Sequence, residues 1–284
     1  MQSTREIKRR IRGVTNIQQI TRAMEMVAAN RLRKAETRLL AARPYAQKMA
    51  QLLNYLAVNF IGKTHYLLKD RDVKVIKLLV ITSDKGLCAA YNTNIIHHVL
   101  KFMNANPNKE FRLLLIGKKA SLYFQKRKFQ IEKYFPEAVE KLGQKDIIKI
   151  VDTLTKDFQK GDYQELQLFF TRFVTVMNCV PTALKLLPIE GQPEKAIRPD
   201  YIFEPSPEDI FEGLFPKYME SCLHHALLES LASEYAARRV AMIAASENAE
   251  EMKNELVRSY NKARQETITK ELMEVVSGAE ALML

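Results

Sequence analysis

Residues 217–277 read KYMESCLHHALLESLASEYAARRVAMIAASENAEEMKNELVRSYNKARQETITKELMEVVS, and these sixty-one positions contain neither glycine nor proline. The two residues that most disfavour a helix interior are missing, and strong formers (Ala, Leu, Glu, Met, Arg) fill the run. At the α-helical rise this is a rod of roughly 90 Å, several times the ~11 to 12 residues of an average globular helix. No compact domain has room to bury such a rod. It must leave the body of the protein, and something must cover its apolar stripe.

The opposite end of the chain offers the cover. From Gly13 to Pro44 there is again no breaker, and apolar residues recur at Ile17, Ile20, Met24 and Val27, then Ala28, Leu32, Ala35, Leu39 and Ala42, in steps of three or four. That spacing keeps one helix face apolar. The stripe extends back through Ile7, Ile11 and Val14, which places Gly13 inside the helix. The facing stripe in the C-terminal run is Leu223, Leu227, Leu231, an alanine-rich zone from Ala232 to Ala249, then Leu256, Tyr260 and Ala263. Small side chains in the middle let a second backbone approach closely. Charge points the same way: residues 1–43 carry a surplus of +8 and residues 208–284 a surplus of −6. Exposed ion pairs are worth only about 0 to 1 kcal/mol each, so apolar burial must do most of the holding. The expected fold is an antiparallel coiled coil of the two chain ends with a small open α/β sheet domain inserted between them. The expected division is 1–62 for the N-terminal helix, 63–207 for the insert with its return linker, and 208–284 for the C-terminal helix. An irregular register near Ile268, Leu272 and Val275 is read as local unwinding or a free tip.

Within the insert, Val75 to Thr82 is a nearly continuous β-branched and aliphatic run, the pattern of a strand covered on both faces. After the loop Ser83-Asp84-Lys85-Gly86 the sequence reads as a helix from about Cys88 to Met103, a strand Phe111–Ile116, helices Lys118–Gln125 and Asp146–Lys160, and strands Glu165–Val176 and Thr182–Pro188. Pro44 is a candidate kink, with the first helix ending at Gly62. Seven of the ten prolines fall between Pro181 and Pro216, the expected linker back to the rod.

The net charge of +11 raises a polyanion partner. The basic N-terminal rod has two readings, an acid-facing or solvated coiled-coil face and a surface that tracks phosphates. Three scattered cysteines, Cys88, Cys179 and Cys222, give no disulfide framework and no zinc site, and the composition is that of a reducing compartment. Nothing in the first residues resembles a signal peptide, and no run approaches the 18 apolar residues of a membrane span. Gly117-Lys118-Lys119 lacks the upstream glycine of a phosphate-binding loop, and Gly86 has no partner glycine for a dinucleotide fingerprint. The adjacent pairs His97-His98 and His224-His225 diverge by ~100° on a helix and read as surface histidines. No nucleophile, base and orienting acid assemble in the sequence. The polar stretch Tyr260 to Glu274 reads, by its residues alone, as a solvated helix face with pairs such as Glu266 and Lys270.

Four segments carry a resemblance. Ile268-Thr269-x-Glu271-x-x-Glu274-x-x-x-Gly278-Ala279 resembles the C-terminal signature of the γ subunit family of F-type ATP synthases, as does Asn261-Lys262-Ala263-Arg264-Gln265. Ile20 to Ala29 (ITRAMEMVAA) is similar to that family's N-terminal helix, and Ser83-Asp84-Lys85-Gly86-Leu87-Cys88 to its first strand-to-helix loop, with Ala89 standing where the family usually has glycine. The resemblance implies a single-copy rotor shaft without catalytic residues of its own. The shaft stands inside a hexamer of α and β subunits, its foot on the membrane-embedded c-ring beside the ε subunit, at the cytoplasmic face of a bacterial membrane. It implies catch contacts to β at Arg264 and Gln265, and coupling residues at Met24, Arg238, Thr269, Glu271 and Glu274. It implies no cofactor held by this chain, ATP, ADP and Mg being bound by the partner subunits. With no close cysteine pair, it also implies no dithiol switch.

Overall fold

The computed structural model describes residues 4–61, 65–69, 71–136, 139–191 and 203–283. Helix α1 runs Thr4–Leu56 and passes through Pro44 without interruption, closing in a π-helical turn Ala57–Ile61. Strand β1 (Val75–Ile81) leads to α2 (Tyr91–Ala105), β2 (Glu110–Ile116), α3 (Lys118–Lys126), β3 (Ile131–Phe135), a 3-10 turn Val139–Lys141, α4 (Gln144–Lys160), β4 (Glu165–Phe173) and β5 (Cys179–Leu187). Helix α5 then spans Pro207–Met283. The helix therefore begins ten residues before the breaker-free stretch, with Pro216 inside it. The proline-rich linker is shorter than expected, because Pro181 lies in β5 and Pro207 already opens the helix. Gln192 to Ile202, and the expected end of the first helix at Gly62, lie outside the described residues.

The chain forms two compact units, one of residues 29–238 and one of residues 1–28 with 239–284. In the first, the sheet has the order β3-β2-β1-β4-β5, parallel throughout except for the antiparallel β4–β5 hairpin. Side chains alternate across it. Ile76, Leu78, Val80, Leu113, Leu115 and Phe169 pack with Ile95, Val99 and Phe124 of α2 and α3. Leu79, Ile81, Leu114, Ile116, Leu168 and Phe170 face a larger core built with α1, α4 and α5. The α1–α5 pairing here is antiparallel: Ala42 and Arg38 line one groove with Leu227 and Leu231, while Ala50 and Leu53 line another with Tyr218. Strand β3 escaped the sequence reading because IEKYF sits at the sheet edge, where only one face is covered and charged residues are tolerated. Lys77, inside the apolar run of β1, is 1% exposed; its Nζ meets Glu132 Oε1 at 2.7 Å and Asp157 Oδ2 at 2.8 Å, which ties β3 and α4 to the central strand.

In the other unit the burial of α1 follows alternating steps of four and three through Ile7, Ile11, Val14, Gln18, Thr21, Glu25 and Ala28. That is a coiled-coil seam, and it corrects the expected stripe. Ile17, Ile20 and Val27 are more than half exposed, and Met24 is half-buried. The seam passes one residue to the side of them, through three polar positions. On α5 the matching steps are Met242, Ser246, Ala249, Lys253, Leu256, Tyr260 and Ala263. The ion pairs Arg10–Glu6 and Lys270–Glu274 each run along one helix, so they do not bridge the seam. Gly13 lies within α1 as expected, and α5 continues past Ile268 without unwinding.

Two backbone positions near the sheet's carboxyl end give direct tests. Gly117 has φ +97°, and a Cβ there would lie 2.1 Å from the Thr82 carbonyl oxygen, so Gly117→Ala should lower stability by about 3 kcal/mol or more in denaturant titration. Ala89, where glycine is usual in the family it resembles, has φ +46°. Ala89→Gly should therefore stabilise the chain by roughly 1 kcal/mol, read in the same titration.

Candidate functional site

The sheet order places a topological switch point between β1 and β4, where an open α/β fold offers a crevice at the carboxyl ends of its strands. Here α5 occupies it. The Thr171 backbone N–H donates to Ser230 Oγ (3.4 Å), Ser233 Oγ donates to the Thr171 carbonyl (3.1 Å), and buried Tyr91 donates its hydroxyl to the Ser230 carbonyl (3.1 Å). One turn further, Arg238 Nη2 donates to the carbonyls of Gly86 (3.2 Å) and Lys85 (3.5 Å) and pairs with Glu234 Oε1 at 2.7 Å. Burial pushes the Glu234 carboxyl up, against the pull of the Arg238 guanidinium. The adjacent Tyr235 hydroxyl accepts from Arg31 of α1, which also pairs with Glu140. The loop Ser83–Gly86 is thus engaged by protein: Asp84 Oδ1 accepts from the Lys118 N–H at the start of α3, and the Ser83 hydroxyl and N–H meet Asn92.

The remaining sequence-derived site residues lie in the other unit. Beyond Ala263, every side chain of α5 from Arg264 to Ala279 is exposed. Continuing the seam's steps reaches Thr267, Lys270, Glu274 and Ser277, all polar. The apolar residues Ile268, Leu272, Val275 and Val276 sit about 100° or more around the helix from that line. Arg264, Ile268, Glu271 and Val275 form one stripe in steps of four and three; Gln265, Thr269, Leu272 and Val276 form the next. The helix therefore brings Arg264 to the same face as Glu271, with exposed Ile268 between them, and Gln265 to the same face as Thr269, followed by exposed Leu272 and Val276; Val275 is 70% exposed. Met24 is not part of this cluster. It lies near the Ala28 limit of the unit, roughly 30 Å along the pair from Arg264 at the helical rise, on the outward stripe of Ile17, Ile20 and Val27. Arg238 belongs to the unit of residues 29–238, where it is buried against the loop after β1.

Sequence reasoning missed the crevice contacts, since Tyr91, Thr171, Ser230 and Ser233 have no motif and meet only in space. It also took all four paired histidines as surface residues. His97 and His224 are exposed, but His98 packs edge-on against Phe169 and His225 Nε2 lies 3.2 Å from the buried Glu229. Among the described residues no group of three or more metal-binding side chains comes together, and no helix is long and apolar enough to cross a membrane.

A long helix that exposes mixed polar and apolar stripes beyond its coiled-coil seam is the kind of surface that subunits of larger assemblies present. A family model described as ATP synthase matches residues 3–282. The ATP synthase gamma chain of Desulfitobacterium hafniense (strain DSM 10664 / DCB-2) is 41% identical over 282 residues, covering 99% of this chain and all of that one. In structure, the chain is similar to one from the central stalk and c-ring of the Tetrahymena thermophila mitochondrial ATP synthase (TM-score 0.60, 27% identity, 80% of this chain and 99% of that one). The fold is also shared with a chain of the Euglena gracilis mitochondrial ATP synthase in rotational state 3 (TM-score 0.73, 18% identity, 98% and 94% covered). The chain belongs to the ATP synthase γ-chain family, a non-catalytic subunit of that complex.

Burial raises the pKa of all three thiols, that of Cys222 to about 11. Only the thiolate reacts, so at pH 8 the native Cys222 should label with iodoacetamide roughly a hundredfold more slowly than in the denatured chain; equal rates would contradict the burial.

Proposed function

We propose that the chain is the central-stalk rotor of an ion-driven ATP synthase, turning inside a hexamer of α and β subunits and coupling that rotation to nucleotide exchange and release on β. The observation that carries this reading is the overhang of α5. A single helix in water is marginal even over 15 residues, and this one exposes Ile268, Leu272, Val275 and Val276 away from its seam face. Such side chains suit an enclosing apolar sleeve. Weak, undirected contacts there permit sliding, whereas a ring of hydrogen bonds would pin the helix.

Coupling needs contacts that differ between the states being coupled, because a partner that binds two states equally shifts neither. The overhang supplies such contacts through chemically different stripes: Arg264 with Glu271 on one face and Gln265 with Thr269 on the next. As the helix turns, each β subunit meets guanidinium and carboxylate, then amide and hydroxyl, then the Lys270–Glu274 pair. Arg264 can hold a carboxylate bidentately, which fits a catch on β, with Gln265 beside it. Glu271, Glu274 and Thr269 serve as coupling contacts, and Met24 does so on the outward stripe of α1. In this reading residues 1–62 and 208–284 work as the shaft. Residues 63–207 form the foot, resting on the c-ring beside the ε subunit, so the chain is peripheral at the cytoplasmic face of a bacterial plasma membrane and holds no nucleotide or metal of its own.

Purified in its native complex, the chain should be present in one copy with three copies each of two nucleotide-binding partners by native mass spectrometry. Replacing Arg264 and Gln265 together by Ala should lower the ATPase rate of the assembled complex about tenfold, a loss of ~1.4 kcal/mol in the coupled transition state, while the complex still assembles. Unaltered turnover would remove the catch from these two residues.

A further inference from the structure

The polar contacts in the switch-point crevice join two parts that rotation would load against one another. We propose that Tyr91, Thr171, Ser230, Ser233 and Arg238 form the joint through which torque passes between the α/β lobe and α5, and that Arg238 is a positioning residue acting through the loop Lys85–Gly86. This inference rests on the rotor reading above.

The geometry favours a joint over a partner contact. Arg238 has a side chain only 10% exposed, and its Nη2 is engaged by Glu234 and by the loop carbonyls. A residue that grips a passing subunit needs a free, exposed head, as Arg264 has. The contacts also lie where slip would occur. Apolar packing resists separation of α5 from the sheet but has little directional preference, so a smooth helix could rotate or slide in its groove. Hydrogen bonds to fixed carbonyls resist that movement because they are lost within a few tenths of an ångström and a few tens of degrees. Ser230 and Ser233 hold both the N–H and the carbonyl of Thr171, which fixes helix register against strand β4. Tyr91 and Arg238 anchor the same helix to α2 and to the loop after β1. Ser230 and Arg238 are eight residues apart, so the grips are spread over roughly 12 Å of helix. That spacing gives the joint leverage against both rotation and tilt.

Tyr91 separates this reading from a partner contact, because its hydroxyl is buried and cannot reach another subunit. In the reconstituted holoenzyme, ions pumped per ATP hydrolysed should fall at least about twofold for Tyr91→Phe and for Arg238→Met, and the double variant should be no worse than the poorer single one. A merely structural role would reduce the amount of assembled complex without changing this ratio. Ser233→Ala, which removes one hydroxyl, should lower the ratio as well and serves if Tyr91→Phe fails to fold. Full coupling in Tyr91→Phe or Ser233→Ala alongside lost coupling in Arg238→Met would place Arg238 at a partner surface and overturn the joint, as would losses that multiply in the double variant. If the unaltered chain forms no ATP-hydrolysing, ion-pumping complex, the rotor reading itself fails, a result distinguishable from any variant's behaviour.

Discussion

Every residue of α5 from Ala226 to Ala236 is buried, and much of the structure follows from that. A helix in a globular protein normally shows one apolar stripe to its core and a polar face to water. Eleven buried positions in succession require cover all round, supplied by α1 on one side and the inner face of the sheet on the other. The composition matches the demand: leucines at 227, 228 and 231, alanines at 226, 232 and 236, and serines at 230 and 233 where the backbone of β4 comes close. The serines can be buried because each finds a partner on Thr171; a buried hydroxyl without one would cost about 1 to 3 kcal/mol. The same packing turns a crevice that in other α/β proteins receives a nucleotide into a mechanical connection.

In the unit formed by residues 1–28 and 239–284 the priorities are reversed. Its seam runs through Gln18, Thr21 and Glu25 while Ile17, Ile20 and Val27 face outward. A helix pair evolved only to hold itself together would place those isoleucines inside. Beyond Ala263 the pattern recurs, with polar residues on the seam line and apolar ones elsewhere. Both departures sit where the proposed partners would contact the shaft, as expected where a local packing rule is broken in favour of a functional surface.

The architecture was legible in the sequence because long breaker-free helices and a strand buried on both faces leave strong one-dimensional signals. The strand at Val75 and the helices following Cys88 and Lys118 appear in the structure within a few residues of the expected limits, and the rod from Lys217 is present but starts ten residues earlier, at Pro207. The polar stretch near Arg264 was visible too, though its residues alone read as a solvated face until its motif was set beside a known family. Edge strand β3 was not visible, since IEKYF lacks the alternation that a covered strand needs.

The order of amino acids thus determined which segments are helix or strand and, through its motifs, the family. Tertiary structure alone decided which stripe of α1 faces inward. Ile17-Ile20-Met24-Val27 and Gln18-Thr21-Glu25-Ala28 both have helical spacing, and only the position of the partner helix chooses between them. It also decided that Arg238 is buried beside Gly86, 152 residues away in the chain. Periodicity reports what is near along a helix, whereas a joint between a helix and a sheet depends on what folding brings together across it.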